Sequence, residues 1–141
     1  ALEVAAGGAG YLLGVAADAS KATPDIALGI QKEGLEAFSD MMGAAHFKKW
    51  EAMGLYDSGL PGWGSAFNQA MTRTIEGGGK VRFNLQGVNI SEALAGDPKM
   101  WVGRYTAWEL QQIVSNPSYR AATTFYNTGH LSAAEKAALG L

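Results

Sequence analysis

Lys80-Val-Arg-Phe-Asn-Leu85 and Thr123-Thr-Phe-Tyr126 are the two stretches whose reading decides the fold. In the first, Val81, Phe83 and Leu85 alternate with Lys80, Arg82 and Asn84, the period of a strand with one buried face. The second is short and rich in β-branched and aromatic residues, and reads as another strand. Asn89-Ile-Ser-Glu92 between them has the spacing of a capped helix start. Thr106-Ala-Trp-Glu109 repeats that T-x-x-E spacing and predicts a helix opening at Thr106 and running through Val114, with Thr106 and Glu109 as its capping box. Asn116-Pro117 stops it. The order is β-α-α-β, and Ser132-Ala-Ala-Glu135 opens a last helix that ends at Gly140.

Upstream the pattern is helical. Thr23-Pro24-Asp25 predicts a helix start, followed by Ile26, Ile30, Leu35, Phe38, Met41 and Met42 at helical spacing. A second helical stretch, Ala44 to Met53, follows Gly43, with His46 as a packing or surface residue. Gly54 to Gly64 is a loop that Trp63 pins to the next helix, Ser65 to Ile75, and Gly77-Gly-Gly79 terminates that helix. The expectation is an α+β domain. Residues 1–79 form a helical lobe, and residues 80–141 form a mixed lobe with a small antiparallel sheet and short helices, the whole being one domain.

Composition narrows the function classes. The 141 residues contain no cysteine, which excludes disulfides and thiolate zinc sites, and only two histidines, His46 and His130. No metal site and no bound cofactor is expected. The net charge of −2 is unevenly spread: residues 1–79 hold five Lys/Arg against nine Asp/Glu, residues 80–141 six against four. The mildly basic second half suits a phosphate-bearing partner. The uncharged run Val4–Ala17 is shorter than the roughly 20 residues that span a bilayer, but it offers a possible membrane contact. There is no Walker loop, GxSxG or HExxH, and the glycine clusters fit no dinucleotide fingerprint.

The side chains able to do chemistry crowd into the second half. Metal-free phosphodiester cleavage needs an acid, a base and a cation for the phosphate. Candidate catalytic residues are His130, Arg104, Glu109, Thr106, Thr124 and Tyr126, with Glu109 or His130 as acid or base and Arg104 on the phosphate. Candidate substrate-binding residues are Lys80, Arg82, Tyr105 and Trp108, the cations for phosphate and the rings for stacking on bases.

Gly62-Trp-Gly-Ser-Ala-Phe67, Gly78-Gly-Lys-Val-Arg-Phe-Asn-Leu85, Arg104-Tyr-Thr-Ala-Trp-Glu-Leu110 and Thr123-Thr-Phe-Tyr126 together resemble the C-terminal toxin domains of bacterial polymorphic toxins. These are the variable tips of Rhs-type and contact-dependent inhibition proteins, and the resemblance covers about residues 46–130. It implies a domain carried on a larger polypeptide, in keeping with a chain that opens on Ala1. It also implies delivery from the producing bacterium into a competitor's cytoplasm and a cognate immunity protein. Such tips are commonly metal-independent ribonucleases of barnase or EndoU type, so RNA, with tRNA as a candidate, is the expected substrate. An NAD-dependent ADP-ribosyltransferase, with Arg104 on the phosphates and Glu109 near the ribose, is the alternative enzyme. A membrane-active toxin or a binding module is the non-enzymatic one.

Overall fold

The structure is a computed structural model that describes residues 24–95 and 104–141. The Val4–Ala17 run, Thr23 and Trp101 lie outside the described residues. Three strands, β1 (Ile26–Leu28), β2 (Val81–Asn84) and β3 (Thr123–Tyr126), form one sheet in the order β1-β2-β3. Both pairings are parallel, with Ile26 opposite Val81 and Val81 opposite Thr123. The expected antiparallel sheet is therefore corrected. The reason lies in the connections: parallel neighbours need a crossover of a dozen residues or more, and a helical segment between two strands supplies one. Helix α2 (Trp63–Glu76) lies between β1 and β2, and α3 (Ile90–Ala95), α4 (Arg104–Ser115) and α5 (Pro117–Ala122) lie between β2 and β3. The mixture of helices with a small sheet is as expected.

The second correction concerns β1. Ile26–Leu28 is a strand, not the first turn of a helix. The Ile26 N–H donates to the Lys80 carbonyl, and Ala27 and Ala45 extend the pairing on the other side, Ala27 N–H to Ala45 O and Ala45 N–H to Asp25 O. The helix, α1 (Leu35–Met42), begins only after Gly34, which sits at φ 89°. Leu35 and Phe38 of the expected stripe are buried on it, whereas Met41 is 71% exposed. The expected helix from Ala44 to Met53 is also absent. Ala45 is spent on the sheet edge, and a single 3-10 turn, Phe47–Lys49, follows it. His46 is buried there, and its Nδ1 has no hydrogen-bond partner among the described residues.

Alternation along the strands sorts the core into two clusters. Ile26, Leu28, Val81 and Phe83 join Phe67 and Met71 of α2 and Ala107, Leu110 and Ile113 of α4 in the larger one. Ala27 faces the other way and packs with Leu35 and Phe38 of α1. The sheet thus has helices on both faces, the usual burial of a parallel sheet. A polar link crosses the second face. Arg82 donates through Nε and Nη2 to Asp25 Oδ2, at 3.0 and 2.8 Å, and through Nη1 to the Tyr126 hydroxyl. Asp25 Oδ1 accepts the Lys80 N–H at 2.8 Å. Burial works against the charge on Arg82, but the bonds to Tyr126 and Asp25 outweigh it and hold its pKa above the ordinary value.

Caps close the helices as far as sequence spacing reaches. Asn89 accepts from the Glu92 N–H, and Ser132 with Glu135 completes a reciprocal capping box at α6 (Ala133–Ala138). Asn116-Pro117 does more than stop α4: Asn116 caps Ser118 and Tyr119 and starts α5, a helix not anticipated. Gly79 marks the tightest approach of the backbone. A Cβ there would lie 2.6 Å from the Pro24 carbonyl oxygen and 2.8 Å from Thr74 Cγ2. Gly79→Ala is expected to cost about 2–3 kcal/mol through this overpacking, read as a lowered urea midpoint; an unchanged midpoint would show that Pro24 yields.

Candidate functional site

Ligands in open parallel sheets collect beyond the carboxyl ends of the strands. A pocket lies there, at the end of β1. It measures about 490 Å³ and is bounded by Leu28, Gly29, Ile30, Gln31 and Lys32 on the strand side. Trp50, Trp63 and Phe47 form one wall, and Tyr105, Thr106 and Glu109 of α4 close it. A volume of this order suits a small organic ligand.

The rim is fixed from two sides. Thr106 Oγ1 donates to the Gly29 carbonyl at 3.0 Å. Gly29 has φ 151°, and a Cβ on it would stand 3.0 Å from the Asn84 carbonyl oxygen, so the absence of a side chain lets β1 turn away beside the end of β2. The aromatic wall is also interlocked. Trp63 stacks on Trp50 with centroids 5.5 Å apart, meets Phe47 edge-on at 5.7 Å and is tilted against Tyr105 at 6.0 Å. Trp50 is itself held by its indole N–H, which donates to the Ala45 carbonyl.

Glu109 is the chemical centre of the pocket. It is 4% exposed, and its Oε2 accepts the Trp63 indole N–H at 3.0 Å. No cation pairs with it among the described residues. Burial pushes its pKa from 4.5 up to about 8, and the Trp63 hydrogen bond only partly opposes this. This favours the protonated carboxyl, which has an O–H to donate and a carbonyl oxygen to accept, over the carboxylate.

The residues singled out in the sequence separate into distinct places. Tyr105, Thr106 and Glu109 meet in the pocket. The expected Thr106–Glu109 capping box is corrected: α4 begins at Arg104, so both residues lie inside the helix, and their three-residue spacing puts them on one face. Arg104 contributes its backbone to the first turn of α4. Arg82 and Tyr126 belong to the Asp25 link, with Tyr126 also edge-on to Phe38 at 5.4 Å. Thr124 is exposed opposite Arg82, and the Lys80 side chain is exposed one residue before β2. Trp108 packs edge-on against Phe67 at 5.2 Å, in the core and outside the pocket lining. His130 is exposed, its Nε2 3.1 Å from the Val88 carbonyl oxygen, and does not line the pocket.

Trp50, Phe47, Gln31 and Lys32 were not legible as site residues, and Trp63 reads in the sequence only as a loop pin. The signal that was available is Gly29, a glycine straight after an apolar run. Among the described residues, no group of three or more His, Asp or Glu side chains could hold a metal ion, and no helix is long and apolar enough to cross a membrane. Comparison of the chain with family models, with curated proteins and with solved structures finds no match.

Proposed function

We propose that this chain is the toxin domain of a bacterial competition effector, that it cleaves RNA in a target cell, and that the Glu109 pocket is its substrate site. The toxin part rests on the sequence resemblance, and with it come a carrier polypeptide and a neutralising immunity protein. The chemistry rests on one observation, the acid-floored aromatic pocket at the end of β1. Aromatic walls take the flat ring of a nucleotide without strong sequence preference, because every base has a π-face. The phosphate is then left to Lys32, which lines the pocket, and to Arg104, one residue ahead of Tyr105. Cleavage by the neighbouring 2′-hydroxyl needs proton transfer but no metal. Glu109 in the pocket and His130 outside it are the candidates.

ADP-ribosyl transfer from NAD is the second reading. It is favoured by the position of the pocket, since the carboxyl end of a parallel strand is where α/β folds hold dinucleotides.

Induced expression in a bacterium, with total RNA run on a gel and NAD measured, separates the two. Growth arrest with discrete RNA fragments is expected. Trp63→Ala should lower the cleavage rate by about tenfold or more, since it removes the aromatic wall and the donor to Glu109. Arrest with intact RNA and falling NAD would move the assignment to the second reading. Arrest with both intact would sink both.

A further inference from the structure

We infer that Glu109 acts in the pocket as a two-point hydrogen-bonding group, reading the amide edge of a flat ring, and that it is not the group that moves the proton. The inference rests on the pocket being the substrate site. An edge of this kind carries one N–H donor beside one acceptor, and it occurs both on nucleobases and on the carboxamide of nicotinamide.

The geometry carries the step. Glu109 is nearly enclosed, yet it lines the cavity, and its single hydrogen bond among the described residues comes from Trp63 to Oε2. An enclosed carboxyl with no cation bonded to it among the described residues is held neutral, because a bare carboxylate there would lose its hydration with little compensation. A neutral carboxyl accepts through one oxygen and donates through the other, side by side in one plane. The Trp63 bond takes one lone pair of Oε2 and fixes the plane of the group. A second lone pair on that oxygen and the O–H on Oε1 remain for a ligand, and they match a donor–acceptor edge. A double-donor edge, such as the N1–H and amino pair of guanine, would need the ionised form and is not favoured.

The enclosure that suits Glu109 to this task unsuits it for the other. A proton carrier must change charge during the reaction, and here the charged form has only the Trp63 indole N–H and no bonded cation among the described residues. The neighbouring walls supply aromatic surface and the Thr106 hydroxyl, which is already committed to Gly29, while Gln31 and Lys32 line the strand side without a bond to Glu109 among the described residues.

Tryptophan fluorescence titration of the whole domain tests this with paired ligands. Uridine monophosphate is set against its N3-methyl derivative, and nicotinamide mononucleotide against nicotinic acid mononucleotide. The parent of one pair should bind at least about tenfold tighter than its blocked partner, the worth of a lost buried hydrogen bond. Discrimination in the first pair assigns a nucleobase, and discrimination in the second assigns nicotinamide. Glu109→Leu should abolish the discrimination. Glu109→Gln, an amide that donates and accepts without ionising, should restore it, and thermal melts of both variants show whether the fold is kept. Equal binding within both pairs, or a Gln variant as indifferent as the Leu variant, overturns the inference and leaves the pocket reading standing. No binding by any of the four overturns the pocket reading with it.

Discussion

Glu109→Gln is expected to make the domain more stable than the parent above about pH 5, with an advantage that widens as pH rises. The sign follows from proton counting. Below the ordinary carboxyl value of 4.5, Glu109 is neutral in both folded and unfolded chains. Between 4.5 and about 8 the unfolded chain gives up the proton that the folded chain keeps, so folding loses ground as pH rises. Above about 8 the whole deficit has accrued, on the order of 5 kcal/mol for a shift of this size, and about 3 kcal/mol of it by pH 7. Gln does not ionise, and its oxygen still accepts from Trp63. Urea unfolding of the two proteins at pH 5 and pH 8 measures the difference directly, since the other titrating groups are common to both. Parallel pH profiles would mean that Glu109 is charged in the folded protein and has found a cation.

The second large effect is at Asp25. Asp25→Ala is expected to cost about 3 kcal/mol, in the range for removing one partner of a buried ion pair. The carboxylate is 6% exposed and the Arg82 side chain 31%, so water screens the pair only in part. The loss would fall between β1 and β2, where both strands begin. The Lys80 N–H would lose its acceptor, Arg82 would keep Tyr126 but lose its counter-charge, and the start of β1 would lose its side-chain tie to β2. A double replacement, Asp25→Ala with Arg82→Met, should recover part of the loss, because it no longer leaves a stranded charge. A cost below about 1 kcal/mol for the single variant would place the pair among screened surface bridges.

Asp25 also shows where sequence reading reaches and where it stops. After Thr23-Pro24 it has the look of a helix start, and Ile26 and Ile30 are one helical turn apart. What makes the segment a strand is a partner more than fifty residues away, and no local pattern reports that. Three residues are too few to show a strand period, and Ile26–Leu28 is buried on both faces, which erases alternation. β2 and β3 were legible because Val81 and Phe83 alternate with Arg82 and Asn84, and because Thr123–Tyr126 is β-rich. Their parallel sense was also within reach, since helices separate them. At Thr106 and Glu109 the opposite error arises: a valid capping spacing is present, but the helix starts two residues earlier, and a motif at the wrong phase becomes a pocket wall. The site was legible to the extent that Tyr105, Thr106 and Glu109 are neighbours in sequence. The other half of it comes from the turns after β1 and from Trp50 and Trp63, which only the folded chain brings together.

The strand pairing has a consequence for how the molecule comes into being. Ile26 must find Val81, and Val81 must find Thr123, so no two neighbours in the sheet are close along the chain. Such long-range closure slows folding and leaves strand edges bare in the meantime. β3 follows β2 only after three helices, α3, α4 and α5. A ribosome, or a translocation channel passing the N-terminus first, would release β1 and β2 well before the strand that completes the sheet. Until α4 has emerged the pocket would lack Tyr105, Thr106 and Glu109, and whatever activity it supports would be withheld by the order of emergence itself.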